Sequence, residues 1–201
     1  MKKKELEIKL EHLELYTDPK LGFEQYATPP QIASALLYTA YVMGDLEGTV
    51  YDLGCGTGIL GIGAKLLGAE RVVGFDIDAD ALRIAMKNAK KVGVDVEFVL
   101  CDVILVPNTV RDKKATVVMN PPFGAQKKGS DRTFLSTALR IGDIIYSIHN
   151  QSSKEFVEHF IKPHRITQVY VMEYPMKKMF KHHKHKVCYI PVEVYRIKKC
   201  E

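Results

Sequence analysis

No two cysteines of this 201-residue chain stand in a C-x-x-C pair. Cys55, Cys101, Cys188 and Cys200 are scattered, which argues against both a disulfide framework and a cysteine zinc site. No apolar stretch reaches bilayer-spanning length. Met1-Lys2-Lys3-Lys4 runs into Glu5-Leu6-Glu7-Ile8-Lys9-Leu10, not into the apolar core of a signal peptide, so the expectation is a cytoplasmic protein with no membrane partner. Repeats, low-complexity tracts and long linkers are also missing. What is present, 46% hydrophobic residues over 201 positions, suffices for one well-cored domain spanning 1–201. Within it, a helical segment at 1–45 precedes an α/β core at 46–201.

The hydrophobic pattern alternates between helical and strand periods. Leu6, Leu10 and Leu13, with Ile8 beside them, give the first helix an apolar face and leave its charges to solvent. Further helices are expected at 31–43, 59–67, 79–91, 133–140 and 154–160. Strands are expected at 49–51, 72–78, 96–100, 115–119, 144–148, 167–173 and 187–197. Periodicity alone says α/β and no more.

Chemistry gathers at the strand ends. Asp52-Leu53-Gly54-Cys55-Gly56-Thr57-Gly58 lies between a strand and a helix that carries Gly61 and Gly63 on its early turns. Glycines permit close backbone approach, and the helix start offers free N–H groups. The spacing is G-x-G-x-G; a dinucleotide fingerprint, G-x-G-x-x-G, would want glycine at Ile59. Asp52 would sit badly beside a pyrophosphate and well beside an ammonium, which points to a zwitterionic cofactor. About twenty residues on, Asp76 is placed to accept from a ribose diol, while Asp78 reads as the N-cap of the next helix. Asp102 ends the third strand and can accept an adenine amino group. A lone acid there is more often a cap or a solvated turn residue, but three successive strands end alike. Directly after the apolar run Ala115-Thr116-Val117-Val118-Met119 comes Asn120-Pro121-Pro122-Phe123. An Asn carbonyl can accept one hydrogen of a flat amine, the Pro121 carbonyl the other, and Phe123 can stack on the ring. The prolines restrict Asn120 and Pro121 before any substrate arrives.

With Phe23-Glu24-Gln25-Tyr26-Ala27-Thr28-Pro29, Gly74-Phe75-Asp76-Ile77-Asp78, Cys101-Asp102-Val103 and Asn120-Pro121-Pro122-Phe123-Gly124 in order, the chain resembles the Rossmann-like S-adenosylmethionine-dependent methyltransferases. Within them it is similar to the archaeal relatives of the eukaryotic small-subunit rRNA adenine-N6 methyltransferase. The likeness extends to Phe180-Lys181-His182-His183-Lys184 and Val192 through Ile197. It implies a mostly parallel seven-stranded sheet with an antiparallel C-terminal strand and helices on both faces. It also implies S-adenosylmethionine as cofactor, with Gln25, Tyr26 and Thr28 as an N-terminal clasp over its methionine part. Asp52, Gly54, Cys55 and Gly56 would surround the sulfonium region, Asp76 and Ile77 the ribose, Asp102 and Val103 the adenine, and Asn120 through Phe123 would form the catalytic tetrapeptide. One departure is Ala27, where eukaryotic members carry proline. From its residues alone the clasp is equally a turn and helix start, with Thr28 as N-cap and Pro29 as first helical residue.

Net charge is a modest +5, but its placement is uneven. Lys127, Lys128 and Arg132 follow the tetrapeptide, and Lys181, His182 and Lys184 lie in a Lys/His run between the last strands. Both groups can contact RNA phosphates or be merely solvated loops. No acid or second ligand pair completes a metal site around the histidines, so none is expected. The expected acceptor is therefore adenine N6 in structured RNA, small-subunit rRNA first. Guanine N2 and a release-factor glutamine amide remain as alternatives, and a non-catalytic RNA-binding or assembly protein as the distant one. The resemblance further implies a small zinc-binding activator protein pairing along a sheet edge, the zinc being the partner's.

Overall fold

The computed structural model describes residues 1–108, 114–123, 129–177 and 187–200. Seven strands form one sheet in the order β3-β2-β1-β4-β5-β7-β6. The strands are β1 (Thr49–Leu53), β2 (Arg71–Asp76), β3 (Glu97–Leu100), β4 (Ala115–Met119), β5 (Ile144–Asn150), β6 (Arg165–Lys177) and β7 (Val187–Lys198). β1 to β5 run parallel, and β7 lies antiparallel between β5 and β6. The helices are α1 (Lys3–Glu11), α2 (Pro30–Val42), α3 (Ile59–Leu66), α4 (Ala79–Val92), α5 (Ser130–Ile141) and α6 (Lys154–Phe160).

The strand pattern explains the two layers. Successive side chains of a strand point to opposite faces. Val50, Val72 and Val118 accordingly pack with Leu6, Leu10, Leu36, Leu37 and Ile62 of α1, α2 and α3. Their neighbours Tyr51, Val73 and Val117 pack with Leu135, Ala138 and Val157 of α5 and α6. Strands buried on both faces read as unbroken apolar runs, and β4 was legible in the sequence for that reason. Leu6 and Leu10 of α1 are buried, as is Leu13 two residues beyond its end, whereas Ile8 is exposed. Among the described residues no helix is long and apolar enough to cross a membrane.

Two local expectations need correction. The helix after the clasp begins at Pro30 with Pro29 as its N-cap residue, so Thr28 is not the cap and Pro29 is not the first helical residue. The cause is Pro30, which holds the residue before it extended (Pro29 ψ 139°) and takes the first helical position itself. Thr28 is thereby freed for another contact. β6 is also longer than the expected 167–173, running from Arg165 to Lys177 because paired backbone continues through Pro175, whereas β7 exceeds the expected 187–197 by one residue.

A buried ion pair ties the segment after α2 to the sheet. Arg196 on β7 donates through Nε and Nη2 to the two Asp45 oxygens at 2.7 and 2.9 Å, both side chains being 9% exposed. The Tyr146 hydroxyl on β5 donates to Asp45 Oδ2 at 2.6 Å, and Arg196 Nη1 donates to Thr167. Removing one member strands the others' charge. Asp45→Ala is expected to destabilise the protein by about 3 kcal/mol, lowering Tm by roughly 6–12 °C in thermal unfolding followed by circular dichroism. An unchanged Tm would show that the pair contributes nothing.

Candidate active site

The sheet order reverses between β1 and β4, which leaves a crevice at the carboxyl ends of the parallel strands. Leu53 pairs with Met119, so the glycine loop and Asn120 leave adjacent strands side by side. Asp76 ends β2, and Asp102 follows β3 by two residues. These ends open into a cavity of about 460 Å³, lined by Tyr26, Thr28, Asp52, Asp76, Asp102 and Asn120 among others. Gln25, Gly54, Cys55, Ile77, Val103 and Pro122 also line it. Gly56 lies just behind, its N–H donating to Asp76 at 2.7 Å and its Cα covered by the Tyr16 hydroxyl.

Asn120 is held by one face of its amide. Its Nδ2 donates to Thr28 Oγ1 at 3.0 Å and to the Tyr174 hydroxyl oxygen at 3.3 Å. Tyr174 gives its own hydrogen to the Ala27 carbonyl at 3.0 Å, so it can only accept from Asn120, which fixes the amide's orientation. The Asn120 Oδ1 is buried and has no hydrogen-bond partner among the described residues. A buried acceptor left open is costly unless a ligand meets it. Phe123 stands edge-on to the Tyr174 ring, centroids 6.2 Å apart, and Pro121 beside it is buried.

The acids divide by burial. Asp52 is 1% exposed; its Oδ2 accepts from the Gly61 N–H at 2.7 Å, and its Oδ1 has no partner among the described residues. Burial, with a smaller push from the Asp76 charge, raises its carboxyl to about 7 against the relief from Gly61. A Cβ on Gly61 would lie 3.2 Å from Asp52 Oδ2, so glycine there lets the helix start approach the acid. Asp76 accepts from the N–H groups of Gly56 and Asp78, and burial raises its pKa despite them. Asp102 accepts from the Ile104 N–H, capping a short helical turn while still facing the cavity. Asp78 caps α4, as the sequence indicates, and also receives Lys20 Nζ at 2.6 Å and Gln25 Nε2 at 2.7 Å. The clasp is thus fastened to the end of β2.

Sequence reasoning missed Tyr16 and Phe134, which line the cavity, along with Tyr174 and the fully buried Asn88. Asn88 joins the Glu14 backbone to the Thr57 carbonyl. Nothing near them in the sequence marks them, since each acts across the fold. Of the basic candidates, Arg132 is exposed on α5 with its guanidinium 5.3 Å from the Phe156 ring centroid. Lys127, Lys128, Lys181, His182 and Lys184 lie outside the described residues.

Residues 29–140 match the family described as "Methyltransferase small domain". Over 99% of this chain and 95% of its own length, an uncharacterized protein of Methanocaldococcus jannaschii is 45% identical. The rRNA N(6)-adenosine-methyltransferase of Danio rerio is 37% identical over 98% of each chain. A crystal structure from Pyrococcus horikoshii superposes with a TM-score of 0.90 at 37% identity, covering 100% of this chain and 99% of that one.

Proposed function

The chain belongs to the methyltransferase small domain family, and from that premise we propose that it methylates N6 of adenosine in ribosomal RNA, in the small subunit. The observation that carries this reading is the buried carbonyl of Asn120, unpartnered among the described residues, on a side chain that lines the same cavity as Asp52, Asp76 and Asp102. The full-length likeness to rRNA N(6)-adenosine-methyltransferases supports adenine over guanine or glutamine as the acceptor.

The site's residues fit S-adenosylmethionine. Asp52 Oδ1 takes the ammonium its burial lacks, Asp76 the ribose hydroxyls and Asp102 the adenine amine, with Gln25, Tyr26 and Thr28 as the clasp and Gly54, Cys55, Gly56, Ile77 and Val103 completing the walls. When bound, the sulfonium supplies an electrophilic methyl group. The chain's task is then orientation of a weakly nucleophilic, ring-conjugated amine. Asn120 Oδ1 and the Pro121 carbonyl accept the two N6 hydrogens, turning the lone pair toward the methyl and stabilising the positive charge that develops on nitrogen. Pro122 and Phe123 bound the ring, the base being unstacked to reach them. No general base is required, because the amine proton becomes acidic only after transfer. Arg132, Lys127, Lys128, Lys181, His182 and Lys184 serve phosphate contacts.

The activator protein belongs to the same proposal. β3 is an edge strand, and Val99, Leu100, Ile104 and Leu105 leave an apolar strip exposed along and beyond it. A small zinc-binding partner adding a strand there would cover it.

Transfer of labelled methyl to rRNA lacking the modification, followed by nucleoside analysis, tests the reading. N6-methyladenosine is the expected product. Label on guanine or on protein glutamine would replace the acceptor, and absence of label with the activator supplied would overturn the enzymatic reading.

A further inference from the structure

Tyr16 enters the cavity from a segment that no motif marks. Its position is fixed on both sides. Two residues earlier, the Glu14 N–H donates to Asn88 Oδ1 at 2.7 Å and the Glu14 carbonyl accepts from Asn88 Nδ2 at 3.0 Å. Four residues later, Lys20 Nζ pairs with Asp78 and Lys20 N–H donates to Gln25 Oε1. The phenol lies over the glycine loop, close enough that a Cβ on Gly56 would meet its oxygen at 2.1 Å. It stands amid Asp76, Cys55 and Asp52, between the acids assigned to ribose and ammonium.

No hydrogen-bond partner is found for the Tyr16 hydroxyl among the described residues. An aromatic hydroxyl brought inside a site and left unmatched is a donor waiting for a ligand. The cavity's charged groups here are acids, which suit an ammonium and repel a carboxylate. An amino-acid moiety carries both on one carbon, so whatever places its ammonium at Asp52 brings its carboxylate to the same loop. Gln25 cannot serve freely: its amide is engaged at both ends, by Lys20 N–H and by Asp78.

We propose that the Tyr16 hydroxyl donates to the α-carboxylate of the bound cofactor, a specificity contact for the amino-acid end. This rests on the assignment of the cofactor's ammonium to Asp52. Burial and the neighbouring acids push the phenol's pKa well up, so it remains a donor at any working pH.

The test compares S-adenosylhomocysteine with 5′-methylthioadenosine, which lacks the amino-acid moiety, by titration calorimetry without RNA. Tyr16→Phe keeps the ring and removes only the hydroxyl; its Tm serves as the folding control. Loss of a hydrogen bond to a charged group predicts about tenfold weaker S-adenosylhomocysteine binding, with 5′-methylthioadenosine changed less than about twofold. Equal weakening of both would move the contact to the nucleoside and overturn the proposal, as would no weakening of either. A wild-type protein that binds neither ligand would overturn the cofactor assignment itself and this contact with it.

Discussion

Asn120→Ala is expected to lower kcat/KM for methyl transfer to RNA by about 10²–10³-fold while the protein stays folded. The variant removes an acceptor of the cavity wall that is buried, oriented through its own amide nitrogen and without a partner among the described residues. Its loss should appear mainly in kcat, because the hydrogen bond strengthens as the N6 amine acquires positive charge. Tyr174→Phe provides a graded comparison. It deletes the acceptor that holds Nδ2, leaving the amide orientation to Thr28 alone, so kcat should fall by about tenfold with substrate KM little changed. Single-turnover measurements separate chemistry from release. An Asn120→Ala enzyme with wild-type single-turnover rates would refute the assigned role.

Asp52→Asn should have opposite effects on the protein alone and on its complex. A carboxyl at about 7 in the fold, against 3.8 for an ordinary aspartate, binds more protons folded than unfolded throughout that window. Stability from this group is therefore fully present below about 4 and lost as pH rises through about 7. Asparagine abolishes the loss, so at pH 8 the ligand-free variant should be more stable than wild type, by up to about 4 kcal/mol. Its affinity for S-adenosylmethionine should nevertheless fall by about a hundredfold or more, because the ammonium would lose its buried counter-charge. The wild-type affinity should weaken below pH 7, by up to tenfold per pH unit, since binding then requires proton release. Calorimetry in buffers of differing ionisation heat would read that proton directly. A pH-independent affinity with no proton release would place the ammonium elsewhere.

The legible part of this site is the part that strand ends dictate. A parallel sheet aligns the carboxyl ends of its strands, so Asp52, Asp76, Asp102 and Asn120 could be assigned to one edge from their places after apolar runs. β4 and α6 have the bounds their sequence indicates, the first because it is apolar throughout and the second because it is short and amphipathic. Long-range partners carry no such local sign. Tyr174 lies 54 residues from the amide it orients, and Asn88 lies 74 from Glu14. Thr28 shows a different failure. A hydroxyl before proline has the composition of a cap, but the second proline shifts the helix start by one residue and hands the hydroxyl to Asn120.

The insertion of β7 between β5 and β6 imposes an order on biosynthesis. A ribosome that has delivered β6 has made a strand with no neighbour to join, because its place in the sheet is one position beyond a strand still to be translated. Residues 165–177 must wait in a non-native environment until Val187 onward emerges, and the Asp45 carboxylate waits with them for Arg196. Nascent chains arrested before β7 should accordingly be protease-sensitive throughout β6 and prone to capture by chaperones, and the crevice at the β1/β4 switch can be in place before the sheet's far edge is closed.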